Sequence, residues 1–149
     1  MQLVLKNKLN KMENHRSLCP INLMVEVVGD KWSFLILRDM IFYNKRHFNE
    51  FRQSEEKIAS NILTDRLNML EKEGLISKAS DPSHKQKVMY SLTEKSIDML
   101  PVLLETMNWS LKYEPVDQVK YKPAIDLLAT GPKGYQELHK QLTKMHLSK

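Results

Sequence analysis

Apolar and polar positions along this chain form short blocks, each with a readable period. Residues 21–28 (INLMVEVV) are largely apolar and end at Gly29-Asp30, a turn signal. In residues 31–43 (KWSFLILRDMIFY), Trp32, Leu35, Ile36, Met40 and Tyr43 recur at helical spacing and predict a buried helix. After the polar break Asn44-Lys45-Arg46, residues 47–54 (HFNEFRQS) predict a short helix anchored by Phe48 and Phe51. EEK (55–57) reads as a tight connection to the next block.

That block, IASNILTDRLNMLEKEGLI (58–76), has two contrasting faces. At about 100° per residue, Leu63, Leu67 and Leu70 share one face, flanked by Ala59 and Ile62. Ser60, Asn61, Thr64, Asp65 and Asn68 fall on the opposite face, where a merely solvated helix would carry Glu and Lys. The predicted helix runs over about 59–73, with its N-cap at Ser60 or beside Lys57, and Gly74 suits the left-handed residue that ends it.

Residues 76–80 (ISKAS) and 87–92 (KVMYSL) predict two strands, in which Val88 and Tyr90 alternate with Met89 and Ser91. DPSHKQ between them supplies turn chemistry and a basic tip. Thr93 is a good N-cap for a further helix with a stripe of Leu100, Leu103, Leu104, Met107 and Leu111. Pro101 predicts either a kink or a first turn there. Beyond Glu114-Pro115 the chain is polar up to Pro123, then 124–129 and 135–147 predict two more helices split by Gly131-Pro132.

The predicted class is mainly α with a small β-hairpin (α+β). The organisation is a basic arm (1–18), a central domain (19–113) and a helical extension (114–149). A length of 149 residues suits one domain that needs neither disulfides nor metals for stability. With 42% apolar and 28% charged residues, the chain is neither disordered nor fibrous. No apolar run approaches the ~20 residues that span a bilayer. The N-terminal segment reads as neither a signal peptide nor an anchor. The single cysteine, Cys19, suits a reducing cytosol, so a cytoplasmic location is expected.

Charge placement adds a partner class. The net charge of +5 is concentrated in three places. Residues 1–16 hold four Lys/Arg against one acid, residues 77–92 hold Lys78, Lys85 and Lys87 against Asp81, and residues 112–149 hold seven Lys against four acids. A short helix, a tightly joined second helix and a basic hairpin form the layout of a winged helix-turn-helix. Such a domain lays its second helix in the DNA major groove and its hairpin on the flanking backbone. Short polar side chains suit base edges: Asn pairs with adenine, Asp accepts from cytosine, and Ser and Thr serve either role. Ser60, Asn61, Thr64, Asp65 and Asn68 are therefore candidate base contacts, although Asp65 would repel phosphates. Lys78, His84, Lys85 and Lys87 are candidate wing contacts, with the lysines on phosphates.

GDKW before an apolar helix, HFNEF, IASNILTDRLNMLEKEGLI, VMYSLTEKS and LLPVLLETMNW together resemble the HxlR-type regulators, winged-helix proteins related to the MarR group. The similarity covers Cys19 to Tyr113. It implies a homodimeric transcriptional regulator on double-stranded DNA, expected as a repressor on an inverted repeat. It also implies a dimer interface from the first apolar helix and the helices after the wing. Ile21, Leu23, Met24, Val27, Leu100, Leu104, Met107 and Leu111 are the corresponding interface or core candidates. This chain departs from many members at Ser96, where Gly is frequent, and at Ala59 and Asn61, where a Ser and a basic residue are frequent.

Some relatives use a cysteine near Cys19 to sense oxidants or electrophiles. That role needs an exposed thiol of lowered pKa; the bland alternative is an inert, partly buried one. A small-molecule effector is a further open partner. His139 and His146 make no metal motif by themselves, and neither a metal nor another cofactor is expected. Trp32 reads as core, and Trp109 and Tyr113 read as core, dimer interface or the lining of an effector pocket, with core the safer reading. No nucleophile motif or phosphate-binding glycine loop points to an enzyme. The rival readings are a winged-helix protein–protein module without DNA binding and a small thiol-dependent enzyme using Cys19.

Overall fold

The turn at Gly29-Asp30 sets the first corner of the domain. In the computed structural model, which describes residues 1–12 and 14–148, a β-carbon on Gly29 would lie 2.3 Å from the Val25 carbonyl oxygen. Only glycine closes helix α2 (Pro20–Val28) so tightly. Asp30 then accepts hydrogen bonds from the backbone N–H groups of Trp32 and Ser33, both at 3.0 Å, and caps α3 (Ser33–Phe42). This is the structural content of the GDKW motif.

From α3 the chain passes through α4 (Phe48–Arg52) to α5 (Ser60–Lys72). Leu63, Leu67 and Leu70 of α5 are buried, and they share one core with Ile36, Leu37 and Met40 of α3. Each such leucine contributes about 1.5–3 kcal/mol by leaving water. The N-cap of α5 is Ala59, which makes no side-chain cap, and Ser60 is the first helical residue rather than the cap. Gly74 takes φ of +75°, as its place after the helix predicted.

The hairpin is longer than expected. β1 (Ile76–Asp81) and β2 (His84–Leu92) pair antiparallel, so His84, Lys85 and Gln86 belong to the strand and Pro82-Ser83 makes the turn. The register runs from Ile76–Leu92 to Ser80–Val88 and then jumps to Asp81–His84. Lys85, Gln86 and Lys87 are the residues skipped by that jump.

Thr93 does start a helix, but a short one, α6 (Glu94–Ile97), followed by a separate α7 (Leu100–Tyr113). Pro101 occupies the first turn of α7, where its missing N–H costs nothing. Buried Ser96 bonds the Thr93 N–H through its hydroxyl at 3.0 Å, a capping contact that glycine could not make. α8 (Lys122–Ala129) and α9 (Gly131–Leu147) complete the chain. Gly131 and Pro132 begin α9 instead of separating it from α8. Leu142 of α9 enters the common core, so the extension packs into the domain. The N-terminal arm also contains a helix, α1 (Gln2–Met12), with Leu3, Val4, Leu5 and Leu9 exposed. Among the described residues, no helix is long and apolar enough to cross a membrane.

A buried carboxylate joins these parts. Asp39 of α3 accepts from Arg38 at 2.8 and 3.0 Å, from Lys45 at 3.3 Å and from the Ser54 hydroxyl. It thereby fixes the chain on both sides of α4. Removing it deprives partly buried Lys45 of its carboxylate and leaves Arg38 paired with Glu56 alone. Asp39→Ala is therefore expected to lower the unfolding free energy by about 3–5 kcal/mol, as read by denaturant titration. A loss below ~1 kcal/mol would mean that the carboxylate is not needed there.

Candidate nucleic-acid interface

The leucine face of α5 is turned inward, so its polar face is turned out. Ser60, Asn61, Thr64, Asp65 and Asn68 are all exposed, as their spacing predicted. Thr64 donates its hydroxyl to the Ser60 carbonyl at 2.9 Å. Asp65 is ion-paired with Arg66 at 2.6 Å, and Arg66 also reaches Asp30 at 3.7 Å. This pairing offsets the negative charge that counted against Asp65 as a DNA contact. It also ties α5 to the capped start of α3. Exposed Lys57 lies just before α5 and Arg52 ends α4. Pattern reading passed over both of these cations because each sits in a segment defined by its neighbours' apolar spacing.

The hairpin is held at its base and near its tip by different chemistry. At the base, Arg46 accepts the Tyr90 N–H on its carbonyl at 2.8 Å and donates Nε to the Tyr90 carbonyl at 3.0 Å. The Phe51 and Tyr90 rings meet edge to face with centroids 6.1 Å apart. His146 of α9 accepts the Leu92 N–H on Nδ1 at 3.1 Å. Burial, followed by the nearby Arg46 charge, pushes the His146 pKa down to about 4, which suits that acceptor role. His139 pairs separately with Asp98 at 3.1 Å, so the two histidines of α9 serve two different contacts.

Near the tip, Asp81 accepts from the Ser83 N–H at 2.8 Å and the Ser83 hydroxyl at 2.7 Å. It also bonds His47 Nε2 at 2.7 Å, while His47 Nδ1 faces Glu50. The Asp81 bond, then the Glu50 bond, raises the His47 pKa. The Ser83 bonds and then His47 hold the Asp81 carboxyl well below its usual range. The wing is thus clamped to the start of α4. HFNEF carried a signal for half of this contact, since His47 and Glu50 are three residues apart; Asp81 is remote in sequence.

The four wing candidates divide. His84, Lys85 and Lys87 are exposed, with both lysines in the irregular part of β2. Lys78 lies in the regular ladder opposite Tyr90 and within 3.7 Å of Glu71 on α5, so part of its charge is already engaged. The interface candidates divide as well. Ile21 is exposed, Leu23, Met24, Val27, Met107 and Leu111 are half-buried, and Leu100 and Leu104 are fully enclosed within the chain's own core. Those two take the core side of the interface-or-core reading, because side chains already surrounded by their own chain have no surface to offer. The aromatic pair is corrected away from core. Trp109 and Tyr113 are exposed at 57% and 62%, with rings 5.4 Å apart, and Trp32 is half-buried against the core. Cys19 is an exposed, free thiol at the N-cap of α2. Among the described residues, no group of three or more His, Cys, Asp or Glu gathers as a metal site.

Two helices around a buried leucine seam, an outward polar face and a clamped hairpin define a winged helix-turn-helix. The HxlR-like helix-turn-helix family matches residues 27–118, and the chain belongs to that family of transcriptional regulators. An uncharacterised HTH-type transcriptional regulator of Bacillus subtilis (strain 168), YdeP, is 38% identical over 96 residues, covering 64% of this chain and 74% of YdeP. Among solved structures, the redox regulator HypR in its oxidised form superposes with a TM-score of 0.57 at 32% identity, covering 66% of this chain and 100% of HypR. The reduced form of the transcriptional regulator YodB from B. subtilis superposes with a TM-score of 0.54 at 27% identity, covering 67% of this chain and 99% of YodB.

The clamp has a definite pH dependence. A raised His47 pKa means that its stabilisation is complete below the unfolded value of 6.5 and is lost as pH rises through the folded value. The lowered Asp81 pKa places its own loss far on the acid side. Heteronuclear NOE values across residues 83–87 should therefore fall as pH rises above the His47 transition. His47→Gln should remove that step. A wing equally ordered on both sides of the transition would show that the clamp does not hold it.

Proposed function

We propose that this chain is a sequence-specific, homodimeric DNA-binding repressor that acts in the cytoplasm by covering a promoter. The observation that carries the reading is the outward face of α5, where Asn61, Asp65 and Asn68 stand clear beside a hairpin with exposed lysines. Base contacts from that face supply specificity, and Lys85 and Lys87 supply sequence-blind attraction to phosphate. Two-fold symmetry would set two copies of α5 about one DNA turn (~34 Å) apart on an inverted repeat.

Second copies need an apolar surface, and α2 and α7 provide candidates. Ile21 and Val25 on α2 and Val102, Trp109 and Tyr113 on α7 are exposed. These residues support an interface that uses the outer sides of the two helices, with Leu100 and Leu104 as its internal backing.

Asn61→Ala should cost about 1–3 kcal/mol on duplexes selected by the protein from a random pool, and should relax preference at one base. Lys85→Ala should weaken all duplexes alike and reduce the salt slope by about one. Unchanged selectivity in Asn61→Ala would remove this face from the reading role. Binding indifferent to salt would favour a protein–protein module instead. Separately, Trp109→Glu should convert a dimer to a monomer in sedimentation equilibrium, since it buries a charge at an apolar contact. An unaltered mass would move the interface elsewhere.

A further inference from the structure

The C-terminal extension encloses space as well as adding to the core. A cleft of about 840 Å³ lies between α3, α7, α8 and α9. Two of its four walls follow residue 118, where the family match ends. Phe34 and Phe42 line it from α3, Met107 and Leu111 from α7, Ile125 from α8 and Leu138 from α9. Ala124 of α8 and Gly134 of α9 are small residues of the same lining.

The polar groups of the lining bear on the kind of occupant. Arg38 is engaged by Asp39 at 2.8 Å and by Glu56 at 3.1 Å. Lys120 is ion-paired with Glu55, and the Tyr121 hydroxyl donates to the same carboxylate at 3.2 Å. Both cations of the lining are therefore already neutralised. Glu137 adds a negative charge, held by Gln141 at 3.4 Å. An anion would find no uncommitted positive charge among these described residues, and a cation would have to compete for Glu137 with the Gln141 amide. An uncharged, largely apolar molecule needs to displace none of these pairs.

We infer that this four-helix cleft is a binding site for an uncharged, largely apolar small molecule. Its volume lies within the ~300–1,000 Å³ of small-molecule pockets. Occupancy presses on one side of α3 through Phe34 and Phe42. The other side of α3 carries Ile36, Leu37 and Met40 into the core that holds the α5 leucines. Binding therefore alters the seating of α5 and changes DNA affinity, a consequence that rests on the proposed role of α5.

The test uses the full chain and the neutral fluorophore N-phenyl-1-naphthylamine. Fluorescence titration should show one saturable site per chain. Ala124→Phe, which fills the cleft, and Leu138→Gln, which makes its wall polar, should each weaken binding tenfold or more. Val119→Ser, at a residue outside the cleft lining and 89% exposed, should leave it unchanged. If Ala124→Phe fails to fold, Leu138→Gln and the Val119→Ser control carry the comparison. Equal affinity in all folded variants overturns the site. Probe binding that appears only as the dimer dissociates also overturns it, since a second copy then fills the cleft. Saturating probe should change affinity for selected duplexes at least threefold. Saturable binding with unchanged DNA affinity overturns the coupling alone. Failure to select any duplex overturns the DNA reading and leaves the ligand site standing.

Discussion

The seam between α5 and α3 is the constraint from which the rest of the domain follows. Leu63, Leu67 and Leu70 occupy one side of a 13-residue helix, and all three are removed from water. Their burial leaves α5 only one rotational setting about its axis. A half-turn about the axis would bring Asn61 and Asp65 into an apolar core, at a cost of several kcal/mol for the unpaired polar groups. The polar face is therefore presented outward with little freedom. An interface that reads base edges needs that rigidity, because its hydrogen bonds are directional.

Carboxylates set how the other parts join this seam. Asp39 holds the chain on both sides of α4, Asp81 brings the wing to His47, and Glu55 receives Lys120 and Tyr121 from the extension. Asp30 has two tasks, capping α3 and facing Arg66 of α5. Each acid bonds a partner from another element, so the ties act on relative placement more than on local structure. The ties differ in strength, since the exposed Glu55 pair is screened by solvent whereas Asp39 is nearly enclosed. The extension is thus held mainly by apolar packing through Leu142 and by His146 beneath the hairpin, with its Glu55 contacts contributing less.

The helices of the central domain, the outward polar face of α5 and the hairpin were legible because each depends on residues close in sequence. Helical spacing located Leu63, Leu67 and Leu70, and alternation located Val88 and Tyr90. The misreadings and the open readings share another cause. Trp109 and Tyr113 look like core by residue type, yet they lie on the side of α7 away from Leu103 and Leu104. Leu100 and Leu104 fit an interface or a core by analogy, and only the packing of α7 assigns them to the core. The irregular pairing around Lys85 and Lys87 and the engagement of Lys78 by Glu71 depend on how strands and helices meet. Periodicity within one element carries no information about that.

Local periodicity, the glycine and proline positions and the capping residues determined which segments are helix or strand and which side of α5 is polar. These are short-range effects, set by backbone geometry and by the solvation preference of each side chain. Tertiary structure alone decided that His47 meets Asp81 and that α8 and α9 stand away from α3 to leave a cleft. It also decided that the aromatic end of α7 faces outward. Those outcomes depend on contacts between distant residues, whose energies are comparable for many alternative pairings until the whole core is assembled.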